Sequence, residues 1–321
     1  MAFSFAKLRK SLLGVSLKKA TSFSEGNTRT WRQLEAAVLS ALEGYHATLE
    51  SSKFEALVPR LNMIELELRS YAYEGAAMGL TGLDCFLPWK KGLKAYMAGP
   101  GAPHIYMVHI GAGEALALLR RKPEPFIARL EDRVLCWLVM DGYGFHKGFF
   151  SRRRYIDEQV VPAHLSPYAR RIFDQGLGRS IWFLTGANVG RIATTIAAFP
   201  AARQADLWVG MGVACTYVGG IDRAAIEALR QAAGQYTPQL AMGSSFVTKG
   251  RTLAGNPAPH TDLACEVLCG LSSDEAARIV DTGFENLPTD GPEPAFEILQ
   301  QRLLARFAKR TEGVYQHKET K

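Results

Sequence analysis

Five side chains able to move protons stand inside stretches that are otherwise apolar: Glu74, His109, Asp141, His146 and Asp174. Removing a carboxyl from water raises its pKa, and removing an imidazole lowers its pKa, so both drift towards neutrality. General acid–base catalysis is assembled from such groups, and these five are the candidate catalytic residues. The densest stretch is Met140-Asp-Gly-Tyr-Gly-Phe-His-Lys-Gly148, with an acid, a phenol, an imidazole and an amine close together. On one helix Asp141 and His146 stand five residues apart, about 140° around the axis, and so point to different sides. In a turn they would meet. Glu74, if buried, requires a partner, and Arg69, Arg170 and His109 are the candidates. In the second half of the chain Gln175 takes the place of Glu74, and Asp174, one position earlier, is the acid that answers it.

That correspondence comes from an internal comparison. A shift of about 101 positions sets Arg69 on Arg170, Gly75 on Gly176, Leu83 on Leu184, Val108 on Val209 and Gly111 on Gly212. Two similar halves, with a site in the groove between them, are expected. The implied division is a basic amphipathic segment over 1–25, a first half over 26–158, a second half over 159–310 and a disordered tail over 311–321.

Other patterns carry less. Gly111-Ala-Gly113-Glu-Ala-Leu116 has the opening of a dinucleotide-binding turn, but Leu116 stands where a small residue is needed. His260-Thr-Asp262, Cys265 and Cys269 offer zinc-ligand types at a spacing that matches no common structural site, so no metal is expected. No Gly-x-Ser-x-Gly, phosphate-binding loop or His-Glu-x-x-His motif occurs, and no cofactor is specified. The five cysteines are odd in number and four sit in apolar stretches, the usage of reduced buried thiols.

These groups need a scaffold, and the 47% hydrophobic content of 321 residues can supply a large core. No apolar run reaches the length of a membrane span. Lys7, Arg9, Lys10, Lys18 and Lys19 precede the first acid, Glu25, and taking those five from a net charge of +7 leaves a nearly neutral body. That balance excludes a broad nucleic-acid surface. Phe5, Leu8, Leu12 and Val15 alternate with the first basic residues as in an amphipathic helix, which packs on its own domain or meets an anionic membrane surface. The chain is therefore expected to be cytoplasmic, with peripheral attachment at the inner membrane face as the alternative.

The apolar spacing predicts helices over 30–50, from 53 into the 80s, over 123–150, 168–183, 188–199, 222–233 and 239–254, and three more before 310. The 87–103 stretch reads as a loop around a short helix, and 160–167 as a linker. Ser272 and Glu275 have the spacing of a capping box. The segments 104–110 and 207–213 are rich in β-favouring residues and end in Gly-x-Gly, so they could be strands. The assignment is a mainly α fold, with α/β as the alternative. In a helical fold the glycines at 111, 113, 142, 144, 148, 210 and 212 call for close backbone approach between packed helices, since each weakens its own helix.

Several stretches taken together carry a family resemblance: Tyr73-Glu-Gly-Ala-Ala-Met78, Ala98-Gly-Pro-Gly-Ala-Pro-His104, Met140 to His146, Asp174-Gln-Gly-Leu-Gly-Arg179, Ala205-Asp-Leu-Trp208 and Pro259-His-Thr-Asp-Leu-Ala-Cys265. Over residues 69–300 the chain resembles the UnbL-like bacterial proteins of about 320 residues encoded beside enediyne polyketide synthases, a family without assigned catalytic residues. The resemblance implies a role in making or maturing a polyene-derived natural product, beside a membrane-protein partner. The expected function is to act on, or bind, a long apolar polyketide or polyene intermediate. The alternative is a non-catalytic carrier or scaffold that docks to a membrane partner.

Overall fold

A computed structural model describes residue 9 and residues 13–316 except Pro88, with side chains described to Arg310. It is mainly α, and no strand occurs among the described residues. Counting helices longer than one turn, these are α1 (Arg29–Glu50), α2 (Phe54–Asn62), α3 (Arg69–Phe86), α4 (Gly92–Ala98), α5 (Ile105–Leu118), α6 (Leu138–Phe150), α7 (Pro167–Leu184), α8 (Val189–Ala197), α9 (Ala201–Val218), α10 (Arg223–Ala233), α11 (Thr237–Ala254), α12 (Pro259–Cys269), α13 (Ser273–Phe284) and α14 (Ala295–Gln316).

Local chemistry sets many of the starts. Thr28, Ser166, Asn188 and Asp222 each accept a hydrogen bond from a backbone N–H in the first turn of α1, α7, α8 and α10. Ser272 and Glu275 form the expected capping box on α13. Two expectations are corrected. Residues 105–110 and 207–213 belong to α5 and α9, and His104 to the short turn before α5, rather than to strands, because both are buried in helical packing where β-propensity does not decide. The helix expected from 53 into the 80s is two, α2 and α3, separated by turns over 63–68. The last helix runs to Gln316, past the expected end. Residues 1–8 and 10–12 of the basic amphipathic segment lie outside the described residues.

Six long helices pack side by side in the order α1, α3, α5, α6, α7, α9, with α11 following α9. Glycine brings their backbones together. A Cβ on Gly75 would lie 1.8 Å from the Ala41 carbonyl oxygen of α1, and one on Gly111 2.0 Å from that of Glu74 on α3. The contact recurs from Gly142 to Ile110, Gly176 to Asp141, Gly210 to Gln175 and Gly243 to Val209. These glycines follow one another at roughly 34 residues, within the range of helical repeat units. The row also turns back on itself. At the end of α9 the Gln33 amide donates to the Val218 carbonyl (2.8 Å) and the Thr30 hydroxyl to that of Gly220 (2.7 Å), joining α9 to α1. One hydrophobic core takes in residues from Phe23 to Phe307, across both expected halves.

Candidate functional site

The ring of helices leaves a slender cavity along its middle. Its volume is about 90 Å³. Its walls are apolar: Met78 from α3, Met107 and Ile110 from α5, Phe145 and Phe149 from α6, Phe183 from α7 and Val213 from α9. Phe145 stacks on Phe149 with centroids 5.5 Å apart, and Phe183 meets both edge-on at 5.5 and 5.8 Å. Residues 13–20 lie across one side. There the Leu13 carbonyl accepts from the Tyr45 hydroxyl (2.6 Å), His46 Nε2 bonds the Val15 carbonyl (3.0 Å), and Val15 and Ala20 join the lining.

Charge enters this wall at one place. Arg179 of α7 donates to Asp141 of α6 and faces Glu74 of α3, Nη2 to Oε1 3.9 Å. Its guanidinium lies 4.8 Å from the Phe145 ring centre. His146 Nδ1 stands 3.9 Å from Glu114 Oε2 on α5. All but Glu114 are buried, and Glu74, Glu114 and Arg179 line the cavity directly. Asp141 and His146 are indeed on one helix. Their 140° separation lets α6 hand one to α7 and the other to α5, so they serve a single cluster without touching.

The electrostatics shift these groups away from their ordinary values. Burial pushes the Glu74 carboxyl well above the usual carboxylic range, and the neighbouring Glu114 pushes it further, against the pull of Arg179. Burial also raises Asp141, opposed by its bond to Arg179. Burial opposes the charge on Arg179, but Asp141 and Glu74 outweigh it and hold the guanidinium cationic. Burial lowers His146, while Glu114 acts in the other direction. His146 Nδ1 has no hydrogen-bond partner among the described residues.

Of the five candidates, Glu74, Asp141 and His146 come together and two lie elsewhere. His109 lines a separate groove with Cys85, Met97 and Phe126; its Nδ1–H donates to the Ile105 carbonyl (2.8 Å), and burial lowers its pKa. Asp174 is held by Arg203 through two bonds of 2.6 and 2.8 Å, an ion pair away from the cavity. The partner of Glu74 is thus Arg179 rather than Arg69, Arg170 or His109. Arg69 instead donates to the carbonyls of Asn62 and Ile64, and Arg170 to that of Leu165. Glu114 and Arg179 were missed as site residues, although each directly follows a Gly-x-Gly.

The zinc-type residues are engaged separately. His260 Nε2 meets the Tyr217 carbonyl (3.0 Å), Asp262 accepts from Ser273 (2.5 Å), and Cys269 Sγ donates to the Ala241 carbonyl (3.3 Å). Among the described residues, no three His, Cys, Asp or Glu side chains are grouped so as to hold a metal ion. No described helix is long and apolar enough to cross a membrane.

Ring and cluster together define a helical protein with an apolar central cavity and an acid–base group in its wall. Residues 4–307 match a family described as protein of unknown function DUF1702, and the chain belongs to that family. No curated protein and no solved structure matches it.

Proposed function

We propose that this protein is a biosynthetic enzyme that transfers protons on a long, slender, unsaturated apolar chain held in the central cavity. The observation that carries the reading is the buried Glu74 carboxyl, whose pKa burial and Glu114 raise, set beside Glu114 and Arg179 in a wall built mainly of aromatic and aliphatic side chains. A neutral carboxylic acid in water-poor surroundings is a competent proton donor. Glu74 gives its proton to one carbon of a double bond, whose π electrons form the new C–H bond and leave a cation on the neighbouring carbon. The rings of Phe145, Phe149 and Phe183 stabilise that cation through their negative faces. Loss of a proton from the adjacent carbon to Glu114 re-forms a double bond one position along, and the proton returns to Glu74. The sum is a double-bond isomerisation without change of oxidation state. Asp141 and Arg179 position Glu74 and offset its field, and His146 stands 3.9 Å from Glu114.

The resemblance to UnbL-like proteins supports a polyketide-derived polyene of an enediyne-type pathway as the substrate, in a cell that makes one. The test is native mass spectrometry of the protein purified from a host that expresses a polyene synthase, followed by product analysis in D₂O. Wild type is expected to carry the chain and to release product with carbon-bound deuterium. Glu74→Gln is expected to carry the chain and lower conversion by about 10²–10⁴-fold. Equal conversion by both would leave the second reading, a carrier shielding a reactive polyene, which the lid of residues 13–20 over the cavity favours.

A further inference from the structure

A second arginine is buried under quite different conditions. Arg251, in the last turn of α11, is 2% exposed. Where Arg179 has Asp141 and Glu74, no carboxylate among the described residues forms an ion pair with Arg251. Its Nη1 donates to the carbonyls of Glu67 (3.1 Å) and Asn256 (2.8 Å), and its Nη2 to that of Tyr217 (2.8 Å). The guanidinium lies 4.3 Å from the Tyr217 ring centre, and its Nε is buried without a partner. Carbonyl dipoles satisfy hydrogen bonds but do not cancel a unit charge, and a buried cation without a counter-ion is costly.

A cavity of about 260 Å³ opens beside this guanidinium, with Arg29 and Arg32 also in its wall. Both of these are exposed. Its acids are Glu65, exposed on the rim, and Glu67, whose Oε2 stands 3.9 Å from His260 Nδ1. Ala37, Tyr71, Tyr217 and Val218 line both this cavity and the central one. The partition is therefore thin, and at its middle two tyrosine rings meet edge-on with centroids 5.0 Å apart.

We infer that the cavity at Arg251 binds an anion, and that this anion is the head group of the chain in the central cavity. The ligand is an amphiphile with a carboxylate or phosphate-monoester head and a slender apolar tail, which reaches towards Glu74 when the touching rings of Tyr71 and Tyr217 part to admit it. The inference rests on the reading of the central cavity as a site for an apolar chain. A carboxylate or phosphate supplies the missing counter-charge of Arg251 and accepts from its Nε–H.

Titration calorimetry of the full chain with dodecanoate, dodecyl phosphate and dodecan-1-ol tests this. One or both anions are expected to bind at least about tenfold more tightly than the alcohol, the size of a hydrogen bond to a charged group. The tighter anion identifies the head group. Arg251→Met is expected to erase that preference while retaining the alcohol's affinity. Arg29→Ser with Arg32→Ser, at exposed positions that do not threaten folding, is expected to weaken the anions alone by about threefold, as for solvent-exposed charge pairs. If the alcohol binds wild type as tightly as both anions, the anion site is overturned and the apolar cavity stands. If none of the three binds, both readings fall.

Discussion

The Glu74 carboxyl has a consequence for stability that can be measured without knowing the substrate. Its folded pKa lies above the unfolded value of 4.5, so between those two values the native state holds a proton that the unfolded chain has lost. The contribution is fully present below pH 4.5 and fades as pH rises through the folded pKa. His146 has the opposite sign, because its lowered folded pKa costs stability as pH falls below 6.5. Glu74→Gln keeps a neutral side chain at every pH. Its melting temperature relative to wild type should therefore climb between pH 5 and pH 9; a constant difference would place the Glu74 pKa in the ordinary range. The guanidinium behind it is a different matter. Arg179→Met strands Asp141 as an unpaired buried carboxylate and should cost about 3–5 kcal/mol in denaturant unfolding. The exposed Arg191–Glu25 pair (2.8 Å) makes the comparison, since Arg191→Met should cost no more than about 1 kcal/mol.

At the scale of the helices, the glycines decide how closely the ring can be drawn in. A methyl at Gly210 would sit 1.8 Å from the Gln175 carbonyl oxygen, and neither backbone can yield without parting α7 from α9. Gly210→Ala should therefore lose about 3 kcal/mol or more of unfolding free energy, at or above the upper end of overpacking. At Gly250 the nearest atom is 3.5 Å away, on the Tyr106 side chain, so Gly250→Ala should be neutral or gain up to about 1 kcal/mol of helix propensity. Equal effects at the two sites would remove glycine contact as the organiser of the ring. This element was legible in the sequence as a need: glycines inside helical patterns require close packing, and the structure supplies it at Gly111, Gly113, Gly142, Gly144, Gly210 and Gly212. The direction of each helix was harder to read. Glu114, Phe145, Arg179 and Val213 each follow a Gly-x-Gly and each line the cavity, so the glycine pair marks which residue points inward. Without the neighbouring helix, Glu114 read as part of a weak nucleotide turn and Arg179 as a motif residue without a role. His109 and Asp174 were selected for polarity within apolar sequence, a criterion that a groove histidine and a structural ion pair meet equally well. The offset of about 101 residues links Gly75 to Gly176, three steps along the row of helices, which is the spacing expected from roughly 34-residue units.

For the whole molecule, the question is what closes the ring and what can open it. The wall of helices is completed by residues that precede α1: Val15 and Ala20 line the cavity, and Phe23 packs on Phe149 (5.1 Å) and Phe183 (5.8 Å). This part of the chain is thus a lid as well as a carrier of basic residues, and truncations separate the two roles. Removal of residues 1–22 takes away the Leu13 and Val15 carbonyls that Tyr45 and His46 bond, together with two lining side chains. A bound apolar chain should then dissociate at least about tenfold faster, since most changes in affinity at a fixed site appear in the off-rate. Removal of residues 1–8 spares every described part of the lid. It should leave the off-rate unchanged while deleting the basic Lys7, so any loss of vesicle binding in that variant belongs to membrane attachment alone. Stopped-flow displacement of a fluorescent fatty acid, with vesicle flotation on the same preparations, measures both. An off-rate that rises equally in the two variants would mean that residues 1–8 close the cavity, and that attachment and closure are one device rather than two.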